Sequence, residues 1–175
     1  MLHKAFIFLF LLLLSNLSYS QQDSTKFVEP PKRAVYFEAL GTALFYSVNY
    51  DQVFYRYKRL SLSGRLGLSY YPKNLVNNYS SASVPVEVNL MIGKGKYFEV
   101  GLAGLFHRNF KKDDPSNILI ASLRLGYRNQ KANGLMYRIG FTPLLPVFES
   151  DENRLTGGDY IAILPWVGFG VGYAF

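Results

Sequence analysis

The sequence predicts an all-β fold: an eight-stranded antiparallel up-and-down transmembrane β-barrel. Three observations predict it. After Arg33, apolar residues alternate with small or polar ones at a period of two, and successive strand side chains point to opposite faces. The connections between these runs are alternately short and long, the asymmetry of an outer-membrane barrel. The faces opposite the apolar ones carry Gly, Ser, Ala and isolated charges, unlike the dense mixed charge of a sheet facing water.

The chain has 175 residues, formal charge +7 and no cysteine, so one domain is expected, without a disulfide framework or cysteine metal site. Fourteen Tyr and fourteen Phe stand against one Trp. Tyr in such numbers suits interfaces where one end of the ring is dry and the other wet. The N-terminus is a different kind of sequence. His3 and Lys4 precede the apolar run Ala5 to Leu14, and Ser18-Tyr19-Ser20 places small residues where a signal peptidase reads. The run is about half the roughly twenty residues a membrane-spanning helix needs. The expected organisation is a signal peptide over 1–20, a polar periplasmic leader with Pro30-Pro31 over 21–33, and a barrel domain over 34–175. No later stretch resembles a transmembrane helix, so insertion would use strands.

Eight strands are expected. The first runs from about Val35 to Gly41 and carries Glu38, with a tight connection near Gly41-Thr42. The second, Leu44 to Tyr57, turns Leu44, Tyr46, Val48, Tyr50 and Phe54 one way and Ser47, Asn49 and Asp51 the other. The third, Leu60 to Tyr71, alternates almost strictly, with Arg65 among the small residues. The fourth, Ser83 to Ile92, opposes its valines to Glu87 and Asn89. Pro85 within it suggests an edge or a bulge. The fifth, Tyr97 to His107, places Glu99 opposite Phe98 and Val100. The sixth, Ile118 to Arg128, carries Arg124 and Arg128, and the seventh, Leu135 to Leu145, carries Arg138. The eighth, Ile161 to Phe175, sets Ile163, Pro165, Val167, Phe169, Val171, Tyr173 and Phe175 against Gly168, Gly170 and Gly172. Connections after strands two, four and six are short, those after three, five and seven are longer, and the first hairpin breaks the pattern.

A secreted soluble cup of the lipocalin kind is the competing architecture. It would turn a charge-dense face outward. Here Lys is confined to turns and loops, and the polar faces carry Glu38, Glu87 and Glu99 against Arg65, Arg124, Arg128 and Arg138. These seven are expected to form an interior ion-pair network, because the planar arginine fork pairs bidentately with carboxylates. An eight-stranded interior is just wide enough for side chains to fill, so a packed lumen is favoured over an ion path.

Several short motifs, in order, cover most of the chain: Val35 to Gly41, Tyr46 to Asp51, Gly64-Arg65-Leu66-Gly67, Leu125-Gly126-Tyr127-Arg128 and Phe141-Thr142-Pro143. In this the chain is similar to small outer-membrane β-barrel proteins of the Bacteroidota type. The resemblance implies fold and location and transfers no catalytic residue. The last strand also resembles the β-signal read by the barrel-assembly machinery, which Val167, Phe169, Val171, Tyr173 and Phe175 match at every step.

Few residues of the chain carry reactive chemistry. Outer-membrane enzymes acting on lipid A or phospholipid need a nucleophile, a base and an acid. After the signal segment His107 is the one histidine, with no serine at hydrogen-bonding spacing along its strand and nothing that points to Ser63 or Ser122 across strands. Lys111, Lys112, Asp113 and Asp114, with Glu149 to Glu152, fall in expected outer loops, where solvated tips are the ordinary case and lipopolysaccharide contact the sharper one. The expected function is a structural or interaction role as an integral outer-membrane protein without catalytic activity. Expected partners are outer-membrane lipid and lipopolysaccharide, the barrel-assembly machinery during insertion and periplasmic chaperones. No nucleic acid and no cofactor is expected. A lipid-active outer-membrane enzyme and a narrow channel are the alternatives.

Overall fold

A computed structural model describes residues 30–75, 78–112, 115–131, 134–149 and 163–175, with the side chains of 146–149 excepted. The expected signal segment 1–20, leader residues 21–29, the loop acids Asp113, Asp114, Asp151 and Glu152, and Ile161 lie outside the described residues. Nine β-strands follow in chain order: β1 (Arg33–Leu40), β2 (Tyr46–Tyr57), β3 (Leu60–Tyr71), β4 (Ser81–Lys94), β5 (Lys96–Asn109), β6 (Asn117–Gln130), β7 (Gly134–Phe141), β8 (Leu144–Glu149) and β9 (Val167–Ala174).

All neighbours pair antiparallel, β1 pairs with β9, and β5 pairs with β6, so the sheet closes on itself. β7 and β8 both lie along β6, β7 beside Leu125 to Gln130 and β8 beside Ile118 to Ser122, in one register down to Ile120 and with a shift of one residue between Ile120 and Leu119. They are two halves of one strand position, broken at Thr142-Pro143. The barrel is therefore eight-stranded, as the alternation predicts.

Proline explains the departures from the expected boundaries. Pro143 interrupts the expected seventh strand because it has no N–H to give the ladder. Pro165 does the same in the eighth, where β9 begins at Val167. Between these breaks Leu144 and Leu164 still exchange both backbone hydrogen bonds at 3.0 Å. Pro85 is neither at an edge nor at a bulge: it sits inside β4 opposite Leu105, and β3–β4 pairing lapses only between Leu66 and Ser69. Gly67 faces it there, where a Cβ would approach the proline ring to 2.7 Å. The bulge in this region lies in β2 at Phe54, between the Val53 and Tyr55 pairings.

The end of the barrel bearing the short turns is called the lower end. There Pro31 is buried. Its carbonyl accepts from Gln130 Nε2 at 2.8 Å, and the carbonyls of Pro30 and Lys32 accept from Arg56 and the Val53 amide. The segment thus crosses the lower mouth from β2 to β6. Above it lie two apolar clusters: Ala34, Tyr36, Met136 and Ala174, then Val53, Met91 and Tyr97. At the upper end a 3-10 turn, Gly41–Ala43, folds into the lumen and is buried, entered and left through Leu40 and Leu44 at φ 58° and 74°. Leu105, Ile120 and Leu144 pack beside it with Leu44 and Trp166.

The outer surface is apolar along the expected faces. Val48, Leu68, Leu102, Ile139 and Val167 are each more than half exposed. Apolar side chains outside and charged ones inside reverse the usual arrangement of a protein in water.

Candidate functional site

The seven residues expected to form the interior network all meet in the lumen, each no more than 3% exposed. The alternation places them there: Glu38, Arg65, Glu87, Glu99, Arg124, Arg128 and Arg138 occupy inward positions on β1, β3, β4, β5, β6 and β7. Glu38 takes Arg65 at 2.5 Å and Arg124 at 3.0 Å. Glu87 takes Arg138 at 2.6 Å and Arg65 at 2.9 Å. Glu99 takes Arg128 at 2.6 Å, Arg138 at 3.2 Å and Arg124 at 3.5 Å.

An eighth charged member was placed on the right face in sequence but not in the network. Asp51 of β2 receives Arg128 through two parallel hydrogen bonds, Nη1 to Oδ1 at 2.9 Å and Nη2 to Oδ2 at 2.8 Å. With it the cluster holds four guanidinium and four carboxylate groups and no net charge. Balance matters here, because an unpaired charge taken out of water is costly whereas a fully paired set is tolerated.

Neutral side chains complete the ring. Asn49 Oδ1 accepts from Arg65 Nε at 2.9 Å, and Asn89 Nδ2 donates to Glu87 Oε1 at 2.7 Å. Thr42 of the inward turn donates to Glu87 at 3.4 Å, and Arg138 donates to the Tyr36 hydroxyl. The guanidinium carbons of Arg65 and Arg138 stand 5.8 and 5.4 Å from the Tyr36 ring centroid. Small residues make room: a Cβ on Gly170 would lie 2.9 Å from Arg138 Cγ, and one on Gly101 would lie 2.1 Å from Asn89 Oδ1. The result is a cross-linked plug rather than a line of single charges.

Above it, neutral polar side chains line the lumen beside the apolar cluster of Leu105, Ile120 and Leu144. Ser83 of β4 and His107 of β5 are cross-strand partners, with Oγ and Nδ1 2.8 Å apart. Ser83 is the partner that sequence spacing did not single out, since Ser63 and Ser122 lie elsewhere on the barrel wall. It is 1% exposed, and Tyr71 packs near the imidazole with ring centroids 6.0 Å apart. Glu38, Asp51, Glu87 and Glu99 are committed to arginines lower down, so none of them orients His107. Lys111 and Lys112 lie in the connection after β5, whose base is fixed by Asn109 bonding Ser116. Val167, Phe169, Val171, Tyr173 and Phe175 all point outward and are 41–54% exposed. Among the described residues no group of three or more His, Cys, Asp or Glu is arranged to hold a metal ion.

No protein-family model, curated protein or solved structure matches this chain.

Proposed function

We propose that the protein is an integral outer-membrane β-barrel with a closed lumen and a structural or interaction role, without catalytic activity. In this proposal residues 1–20 are a cleaved export signal, and the protein is kin to the small Bacteroidota-type barrels it resembles. The observation that carries it is the inversion of polarity. A charge-neutral set of four arginines and four carboxylates is shut inside, while large apolar side chains cover the outer wall. Large apolar side chains exposed on every strand from β1 to β7 and on β9 call for a partner, and hydrocarbon is the partner that can surround a cylinder on all sides. Short turns then face the periplasm and long connections the outside. Lipid and lipopolysaccharide surround the wall, and periplasmic chaperones and the barrel-assembly machinery handle the chain before closure.

The lipid-active alternative has one observation in its favour, the Ser83–His107 pair. Against it stand the burial of Ser83 and the commitment of the described lumen carboxylates to arginine.

Outer-membrane fractionation followed by gel mobility with and without heating tests the proposal. The protein should float with the outer membrane and run faster unheated than heated. Recovery in the soluble periplasmic fraction would overturn it.

A further inference from the structure

The lower end carries a second feature. Lys58 and Arg59 form the turn between β2 and β3, and Gly95 joins β4 to β5, flanked by Lys94 and Lys96 at the ends of those strands. The Gly93 amide donates to the Arg59 carbonyl at 2.7 Å, which ties the two turns together. Lys94 and Lys96 are direct cross-strand partners, an arrangement of like charges that repels. All four cations are exposed. Among the described residues, no Asp or Glu lies in the turns of this end.

Between the two turns lies a slot of about 490 Å³ lined by Tyr57, Lys58, Arg59, Leu60 and Lys94. Its floor is apolar, and the Lys58 ammonium stands 5.2 Å from the Tyr57 ring centroid. Higher on the same outer wall is a shallow groove of about 420 Å³, where Gly64 and Gly104 leave a dent among Leu66, Val86, Val88 and Leu102. Gly64 follows Leu60 by four residues on β3, about 14 Å along the strand, which at a barrel tilt of roughly 40° is about 10 Å of depth. That lies within one leaflet of a ~30 Å hydrocarbon core. A cationic slot at the membrane edge and an apolar groove in the same leaflet therefore line up on one panel, β2 to β5.

We infer that this panel binds one anionic glycerophospholipid, with its phosphate at Lys58 and Arg59 and an acyl chain running past Leu60 into the groove at Gly64 and Gly104. The inference rests on the membrane proposal above. Charge complementarity selects the headgroup. The apolar floor and the groove select a lipid over a free phosphate, which would gain nothing from either.

The test has two stages. Flotation of refolded protein with phosphatidylcholine vesicles tests membrane insertion alone. Native mass spectrometry from detergent, with phosphatidylglycerol or phosphatidylcholine added, then tests the site. One retained phosphatidylglycerol is expected, in preference to phosphatidylcholine. Lys58→Gln/Arg59→Gln should weaken that retention roughly thirty-fold, the factor for two cations beside an anionic headgroup. Gly104→Leu should also reduce it by filling the groove, and inorganic phosphate should not displace the lipid. Heat-modifiable mobility confirms that each variant is folded. Equal retention of the two lipids, or retention unaffected by the double substitution, overturns the site while leaving insertion intact. Displacement by phosphate overturns the lipid in favour of a bare anion. Failure to float overturns both.

Discussion

Arg128 and Asp51 face each other across the full width of the barrel. Their strands, β6 and β2, stand four positions apart in a ring of eight, and the guanidinium and carboxylate meet through two bonds of 2.9 and 2.8 Å. The pair works as a strut. Asp51→Ala leaves Arg128 buried with Glu99 as its one remaining carboxylate partner, and breaking a buried pair on one side costs about 3–5 kcal/mol. The urea midpoint of the refolded protein should fall accordingly. Asp51→Leu combined with Arg128→Met should restore much of it, because removing both charges removes the desolvation penalty. An unshifted midpoint in the single variant would show that the strut carries no load.

This pair marks the limit of what the sequence makes legible. A period of two sorts side chains into inner and outer faces, and it placed Arg128 and Asp51 inward separately. Which inward charges meet depends on closure and stagger, and those follow from pairing between residues 77 apart in the chain. Tyr36, two residues before Glu38, shares its inner face and packs on two arginines that lie far away in the chain. The tight connection at Gly41-Thr42 is legible, but its inward course is not, because it depends on Leu40 and Leu44 at positive φ, where leucine is unfavourable. The seventh strand reads as unbroken from Leu135 to Leu145, and its two parts do share one place beside β6, but the break at Thr142-Pro143 is not signalled by the alternation.

Two glycines three residues apart on β5 should respond in opposite ways. Gly101 faces inward, and a Cβ there would sit 2.1 Å from Asn89 Oδ1 and 3.0 Å from the Val88 carbonyl. Gly104 faces outward, with its nearest neighbour, Val86 Cγ2, at 3.7 Å. Gly101→Val should abolish the fast-migrating unheated band, whereas Gly104→Val should keep it. The same phenotype for both would mean that the inner packing is looser than the geometry indicates.

A lumen cross-linked at mid-height should not conduct. Purified protein in planar bilayers is expected to give no stable single-channel steps. Gly41→Val extends this prediction. Gly41 has φ +67°, and its Cβ would meet the Glu38 carboxylate at 2.7 Å, so the 3-10 turn should be driven from the upper lumen. Strain of this kind costs about 1–3 kcal/mol and should lower the unfolding midpoint. Conductance should stay absent, because the arginine and carboxylate cluster still crosses the lumen below. Steps in the wild type would refute the plug, and steps only in the variant would make the turn the gate.

Ser83 and His107 should behave as a structural hydrogen bond. Ser83→Ala or His107→Ala removes one neutral bond near the upper mouth, worth about 1 kcal/mol. Fatty-acid release from lipid A or phospholipid in mixed micelles should be at background for the wild type and for both variants. Turnover by the wild type that His107→Ala abolishes would make the pair catalytic and replace the structural role proposed here.

Phe175 separates assembly from stability. Its backbone exchanges hydrogen bonds with Arg33, N–H to carbonyl at 2.9 and 3.2 Å, and so completes the β1–β9 seam. Its side chain contributes little to that closure, being 47% exposed on the outer wall. Phe175→Ala keeps both backbone bonds and removes only the ring. If the ring is read during insertion, together with Tyr173, Val171, Phe169 and Val167, the outer-membrane level in cells should drop several-fold. The same variant refolded into detergent should retain its heat-modifiable band and a nearly unchanged urea midpoint, because the seam is closed by backbone groups. Equal loss in cells and in detergent would make Phe175 a stability residue. No loss in either would remove the terminal ring from the assembly signal and leave the alternating aromatics before it to carry that role.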